Sequence, residues 1–249
     1  MQTLRAAPWQ LWFLVLGAIW GCSFLFIKLG LESLTPFGVA FGRASIGALV
    51  LLAVARATGT RFPRDRRTWW HLAVVGLLFC SIPFTLFAYG ETQISSILAG
   101  IINACTPLAA LLVVFAAFPE QRPGRDRAAG LAVGFAGVLV VLGAWNGLGG
   151  GELLGVLACV GAILCYGIAY PYTRRHLSGI PEGPIAIATA QVSLGALFLL
   201  PVVVLVSLTG GQVVTTPFTV ETAIGMLALG ALGSGIAYVL SNHVVIEAG

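Results

Sequence analysis

Apolar residues run through this chain in long blocks, and polar residues are confined to the short gaps between them. The blocks cover about 11–30, 37–55, 70–89, 94–118, 128–145, 152–172, 184–208 and 223–246. Each is close to the ~20 residues that cross a ~30 Å hydrocarbon core. Backbone groups in lipid must pair within their own element, so only helices or a closed barrel can span it. Barrel strands alternate apolar and polar positions, whereas these runs are continuous, so the pattern predicts eight transmembrane helices. Gly130 and Gly134 form a GxxxG pair, and Ala40, Ala44 and Ala48 form a small-residue stripe. Both are more often helix-packing devices than functional sites.

Composition agrees with the pattern. The chain of 249 residues is 58% hydrophobic and 9% charged, against roughly 25% charged in a soluble domain. The thirteen Lys and Arg residues are distributed unevenly. All but Lys28 and Arg43 fall in the N-terminal tip or in every second connector: Arg5; Arg56, Arg61, Arg64, Arg66 and Arg67; Arg122, Arg125 and Arg127; Arg174 and Arg175. Positive residues near span ends face the cytoplasm, so the alternation predicts a multi-pass protein with a cytoplasmic N-terminus. Trp9, Trp12, Trp69 and Trp70 mark span ends on that same side, where indole rings favour the interface. The net charge of +4 is spread over these connectors. Its expected partner is a bilayer with an anionic inner leaflet, not nucleic acid. The first block lacks a small-residue cleavage site and is expected to stay as a signal-anchor. All five cysteines lie in apolar blocks, which supports neither a disulfide framework nor a metal site.

The chain also resembles itself. Gly17-Ala18-Ile19-Trp20 in the first block is echoed by Gly161-Ala162-Ile163-Leu164 in the sixth. Arg43-Ala44-Ser45-Ile46-Gly47-Ala48-Leu49 in the second is echoed by Gln191-Val192-Ser193-Leu194-Gly195-Ala196-Leu197 in the seventh. A weaker echo joins the stretch from Gly76 to the stretch from Gly230. The repeat unit then holds five helices, the first over 1–147 and the second over 148–249. An odd number of crossings inverts the second unit relative to the first, a plan common in secondary transporters, with the solute held where the halves meet. Counterparts of the fourth and fifth helices do not follow the eighth. The expected fold is therefore all-α and integral to the membrane, with eight helices of a ten-helix protein in two inverted five-helix repeats, the second truncated.

With this repeat in view, the chain resembles the EamA-type branch of the drug/metabolite transporter superfamily. The resemblance rests on Gly17-Ala18-Ile19-Trp20-Gly21, Phe24, and Ile27-Lys28-Leu29-Gly30-Leu31-Glu32. It continues through Pro36, Arg43, Phe87-Ala88-Tyr89, the Ser95, Ser96, Ala99 and Gly100 start of the fourth block, Thr106-Pro107 and Pro119-Glu120. It implies ten helices in two inverted five-helix repeats, both termini cytoplasmic, and export or exchange of small metabolites across the bacterial inner membrane. Two departures stand out: the last two helices are absent, and Pro119-Glu120 stands where the family often has Gly-Glu.

Several residues could touch a solute. Arg43 lies about six residues into the second helix, roughly 9 Å deep. A cation there faces a cavity or a partner; it grips a carboxylate or phosphate, or it forms a structural pair. Gln191 is its repeat equivalent. Asn103 lies near midplane and bonds either solute or another helix. Pro107, one turn on, frees a backbone carbonyl and suits a hinge or gate. Trp20, Tyr89, Tyr166 and Tyr238 either wall the cavity or fill the core. Lys28 is expected to snorkel to the outer interface. No carboxylate is expected inside the membrane, Glu91 being assigned with Glu32, Glu152 and Glu221 to the outer face. Proton coupling through a buried acid is therefore not expected.

No phosphate-cradling loop, HExxH or CxxC appears, so no cofactor or metal is expected. No nucleophile–base pairing is apparent among Ser81, Ser95, Ser193 and His243, and an enzyme is the least supported class. The leading expectation is an alternating-access carrier of small metabolites, amino-acid-like or otherwise anionic or zwitterionic. The competing one is a non-transporting membrane anchor or regulatory subunit. A homodimer stays open as the assembly.

Overall fold

The computed structural model describes residues 9–117 and 150–241, with residues 129, 130, 133, 134, 136, 137 and 140 between them. The helices are α1 (Trp9–Leu31), α2 (Pro36–Ala57), α3 (Arg66–Gln93), α4 (Ser96–Ala104), α5 (Thr106–Ala117), α6 (Gly150–Leu177), α7 (Gly183–Leu208) and α8 (Val220–Ser241). Six of them are long and apolar enough to cross a membrane, and α4 with α5 makes a seventh candidate, bent by 41°. The protein is all-α and integral to the membrane. The span expected over 128–145 lies mostly outside the described residues; its seven described positions are helical.

Local signals set the helix ends. Thr35 accepts a hydrogen bond from the Gly38 N–H, with Pro36 following as a preorganised first helical residue. Asp65 caps α3 by accepting from the Thr68 N–H at 2.7 Å; the Thr68 side chain and then this backbone bond hold its carboxyl below the usual carboxylate range. Ser95 caps α4, and Thr219 caps α8. Gly59 and Gly210, both at positive φ, let the chain turn away after α2 and α7.

Three spans depart from straight α-helix. The block expected as one helix over 94–118 breaks at Cys105, between α4 and α5. Pro107 cannot donate to a carbonyl one turn back, so the ladder is interrupted there. Within α3, Leu77–Ser81 forms a π-helical turn in which the Ile82 N–H reaches the Leu77 carbonyl. The wider turn comes just before Pro83, whose ring would crowd a regular turn. Within α8, the glycine-rich stretch Ala228–Ile236 is π-helical over nine residues.

Both ends of the bundle can be traced from contacts. At one end the α1–α2 connector pairs with the α7–α8 connector through an isolated bridge, Leu34 to Val214. The Thr35 N–H donates to the Val213 carbonyl at 3.0 Å and the Thr215 N–H to the Ser33 carbonyl at 2.9 Å. The end of α3 meets the start of α6 here, where Gly155 packs on Gln93 and Ile94. At the opposite end the start of α3 meets the end of α6. There His71 Nδ1 bonds the Tyr172 hydroxyl at 2.7 Å and stacks on His176 at 4.4 Å. The helices α3 and α6 are thus antiparallel, and α6 begins at the end of the bundle where α1 finishes. Every described arginine except Arg43 belongs to the His71 end.

Candidate functional site

Buried polar groups converge where α1, α2, α3, α6 and α8 meet. Arg43, on α2, is 7% exposed. Its Nε donates to Ser234 Oγ at 2.8 Å, and its guanidinium carbon stands 3.8 Å from the centre of the Phe84 ring. A cation inside the bundle is costly unless it finds such partners. The aromatic face and the serine, both supplied by neighbouring helices, serve that need. Ser234 lies in the π-helical part of α8. One residue earlier, the Gly233 carbonyl accepts from the Trp20 indole N–H at 3.2 Å.

Trp20 meets Tyr238 edge-on, with ring centres 6.4 Å apart. The Tyr238 hydroxyl lies 3.8 Å from Cys80 Sγ. Tyr166, from α6, sits between Phe79 and Phe87 of α3. Arg43 is within electrostatic reach of both tyrosines. The structure therefore brings together Arg43, Trp20, Tyr166 and Tyr238. Chemically, the cluster offers one fixed cation, phenol hydroxyls and several aromatic faces.

The remaining candidates lie outside this cluster. Gln191, on α7, is 6% exposed, and its carbonyl faces Gly76 as the Arg43 carbonyl faces Gly230. Asn103, half-buried near the end of α4, has its backbone carbonyl taken by the Thr106 hydroxyl at 2.6 Å. The carbonyl that Pro107 was expected to free is thus already bonded. Pro107 is exposed, two residues past the break at Cys105. Tyr89 is 40% exposed, on the side of α3 away from buried Phe87 and Glu91.

Two expectations are corrected at the connector-paired end. Glu91 does not mark a surface: it is 0% exposed, and neither carboxyl oxygen has a hydrogen-bond partner among the described residues. The close approach of α6 buries it, with Gly90 packed on Cys159 and on the Gly155 carbonyl. Lys28 does not simply reach for the interface, because its Nζ donates to the Glu91 backbone carbonyl at 2.7 Å. Beside this pair opens a cleft of about 550 Å³ lined by Lys28, Thr92, Gln93, Ser95, Ser96 and Glu152 among others. A second hollow, about 350 Å³ between α2 and α8, is lined almost wholly by apolar side chains and lacks the groups a polar solute needs.

A model of the EamA-like transporter family matches residues 7–143. An uncharacterized transporter of Archaeoglobus fulgidus is 31% identical over 238 residues, covering 92% of this chain and 77% of that protein. This chain belongs to the EamA-like transporter family. Protein PagO of Salmonella typhimurium is 26% identical over 70% of this chain and 57% of its own length. The uncharacterized inner membrane transporter YedA of Escherichia coli K12 is 26% identical over 86% of this chain and 65% of its own. The chain thus spans less than two thirds of PagO and of YedA. One crystal structure superposes with a TM-score of 0.65 at 20% identity, covering 95% of this chain and 78% of that one, a likeness of fold.

Three residues of this EamA-like chain escaped sequence reasoning: Ser234, Phe84 and Glu91. Ser234 could have been found through the repeat, since it stands four residues past Gly230 as Cys80 stands four past Gly76. Phe84 carries no local signal. Glu91 reads as an ordinary polar residue at the end of a span until α6 closes over it.

Proposed function

We propose that this chain works as a secondary carrier in the bacterial inner membrane, with its N-terminus in the cytoplasm. It moves small metabolites outward, amino-acid-like or otherwise anionic or zwitterionic, by alternating access. Residues 1–147 and the chain from residue 148 onward act as two oppositely directed copies of one helical unit, with eight spans in this sequence, the fifth over about 128–145. The basic end of the bundle faces the cytoplasm, as the cost of translocating Lys and Arg favours.

Matched packing across the seams carries this reading. A methyl at Gly230 would lie 3.2 Å from the Arg43 carbonyl, and one at Gly76 would lie 2.7 Å from the Gln191 carbonyl. A methyl at Gly47 would meet Ser234 Cβ and the Gly230 carbonyl; one at Gly195 would meet Cys80 Cβ and the Gly76 carbonyl. These are the same positions in the two halves, and an arrangement so duplicated can rock about its seams with little change in backbone fit. Arg43 sits on one seam, where it can take a solute carboxylate in exchange for Ser234 and Phe84.

Counterflow of labelled amino acids in vesicles containing the purified full chain tests the activity. The wild type is expected to exchange them, and Arg43→Ala to exchange them far more slowly while keeping its elution profile. Equal exchange by that variant would remove Arg43 from the site. Single cysteines replacing Arg64 and Thr215, in a background without the native cysteines, are expected to be labelled from opposite sides of the membrane. Labelling from one side would overturn the arrangement.

A further inference from the structure

Glu91 is the buried charge-bearing group that the Arg43 cluster leaves unexplained. An ionised carboxylate without a hydrogen bond is among the costliest groups to place in an apolar interior. It is stable there only when something neutralises it. The titratable or charged groups that face it are Lys28 of α1, Arg43 of α2 and the Cys159 thiol of α6; α4, also packed on this part of α3, carries none. Lys28 is turned to the Glu91 backbone carbonyl, and Arg43 is held by Ser234 and Phe84. Among the described residues no cation is therefore bonded to the carboxyl oxygens, and helix packing leaves them fully buried. A proton is the one neutralising ligand that needs no cavity.

We propose that Glu91 is a proton-exchange site that couples movement of the α3–α6 seam to proton transfer. Resting on the carrier reading, it makes that carrier a proton-coupled one. In the closed arrangement described here the carboxyl carries its proton. The seam beside it is made of Gly90, Gly155 and Cys159, with backbone nearly touching backbone. Parting α6 from α3 by the width of a water would open Glu91 to the cleft at Lys28, Gln93 and Glu152. The carboxyl O–H then breaks and its proton passes to water, leaving the carboxylate beside Lys28. Reclosing requires that a proton be taken back from water. If the two events face opposite sides of the membrane, one proton crosses per cycle.

Two measurements on the full-length chain test this, and they separate the proton site from the carrier. The first is the infrared pH-difference spectrum of wild type minus Glu91→Gln in lipid. A protonated-carboxyl C=O stretch at neutral pH that vanishes in the variant is expected; a carboxylate signal at neutral pH instead would overturn the proposal. The second uses vesicles loaded with a mixture of the twenty amino acids. A gradient of one pH unit is expected to drive about tenfold accumulation per coupled proton in wild type. Glu91→Gln should lose that accumulation but keep counterflow, Glu91→Asp should retain both, and replacing sodium with choline should change neither. Gradient-driven accumulation that survives in Glu91→Gln would overturn the proposal. Wild-type vesicles that move no solute would count against the carrier, while the infrared result would still decide whether Glu91 holds a proton.

Discussion

The seam between α2 and α8 and the seam between α7 and α3 are built on one skeleton and filled with different chemistry. Each places a glycine of one helix against the backbone of the other: Gly47 with Gly230 in the first, Gly195 with Gly76 in the second. Each partner helix is π-helical at that contact or directly beyond it: Gly230 lies within Ala228–Ile236, and Gly76 directly precedes Leu77–Ser81. Yet the first seam carries Arg43, bonded to Ser234 and stacked on Phe84. The second carries Gln191 and Cys80, and a cross-seam bond there runs from the Ser81 hydroxyl to the Gly195 carbonyl at 3.0 Å. The small residues serve close approach of helices, which is worth the same in both halves. The polar residues are not duplicated. In the carrier proposed above, a solute with a head and a tail would have no use for two identical grips, and the asymmetric side chains would mark binding where the symmetric backbone marks packing.

The largest expected effect tests the asymmetric part. Arg43→Ala should lower counterflow by about a hundredfold, the equivalent of two charge-assisted hydrogen bonds at roughly 1.4 kcal/mol each. Gln191→Ala should lower it by no more than about fivefold, since a neutral amide bond contributes less. Equal losses in the two variants would mean that the seams contribute alike and that charge at Arg43 decides nothing. Arg43→Lys is expected to fall between them, because an ammonium keeps the charge but not the planar stack on Phe84.

Next comes the symmetric part. A Cβ at Gly47 would stand 2.7 Å from that of Ser234, and one at Gly195 would stand 2.5 Å from that of Cys80. Neither neighbour is the free end of a flexible side chain, so the helices must move apart. Gly47→Val and Gly195→Val should each cost about 2–3 kcal/mol, in the range of overpacked cores. Unfolding in mixed micelles with increasing denaturing detergent would measure both. The comparison requires the two costs to agree within about 0.5 kcal/mol, the usual error of reading contacts as energies. Tolerance of valine at one seam alone would show that the skeletons differ in rigidity.

Much of the skeleton was legible before any coordinates. Span positions follow from hydrocarbon thickness, and most predicted ends fall within a few residues of those observed. The echo between Arg43 and Gln191 singles out two polar positions that both lie buried. The break at Cys105 was half legible: Pro107 announces a lost hydrogen bond, but whether a helix kinks or snaps depends on what packs beside it. Partners were hardly legible. Arg43 and Ser234 are 191 residues apart, and nothing local marks a serine within a glycine-rich run as the acceptor for a guanidinium. Glu91 was misread for a related reason. A carboxylate two residues from the end of a helix belongs by default to the surface, and only the glycines of α6 allow that helix close enough to cover it.

The smallest expected effect is also the finest test, because it concerns two equivalent positions that differ by little more than an oxygen and a sulfur. Ser234 and Cys80 are both fully buried, each facing the glycine of the opposite helix. Removing the hydroxyl in Ser234→Ala deprives the Arg43 Nε of its acceptor inside the bundle, and a bond to a charged group is worth about 2 kcal/mol. Removing the sulfur in Cys80→Ala loses mainly buried volume and a long contact to the Tyr238 hydroxyl, about 1 kcal/mol. The difference should vanish when Arg43 is already leucine, since the serine then has no cation to satisfy; a double-mutant cycle reads that directly. A gap between Ser234→Ala and Cys80→Ala that persists in the Arg43→Leu background would locate the asymmetry in the serine's own fit to α8. Arg43 would then be a passenger on that seam, its charge held for the solute and not for the fold.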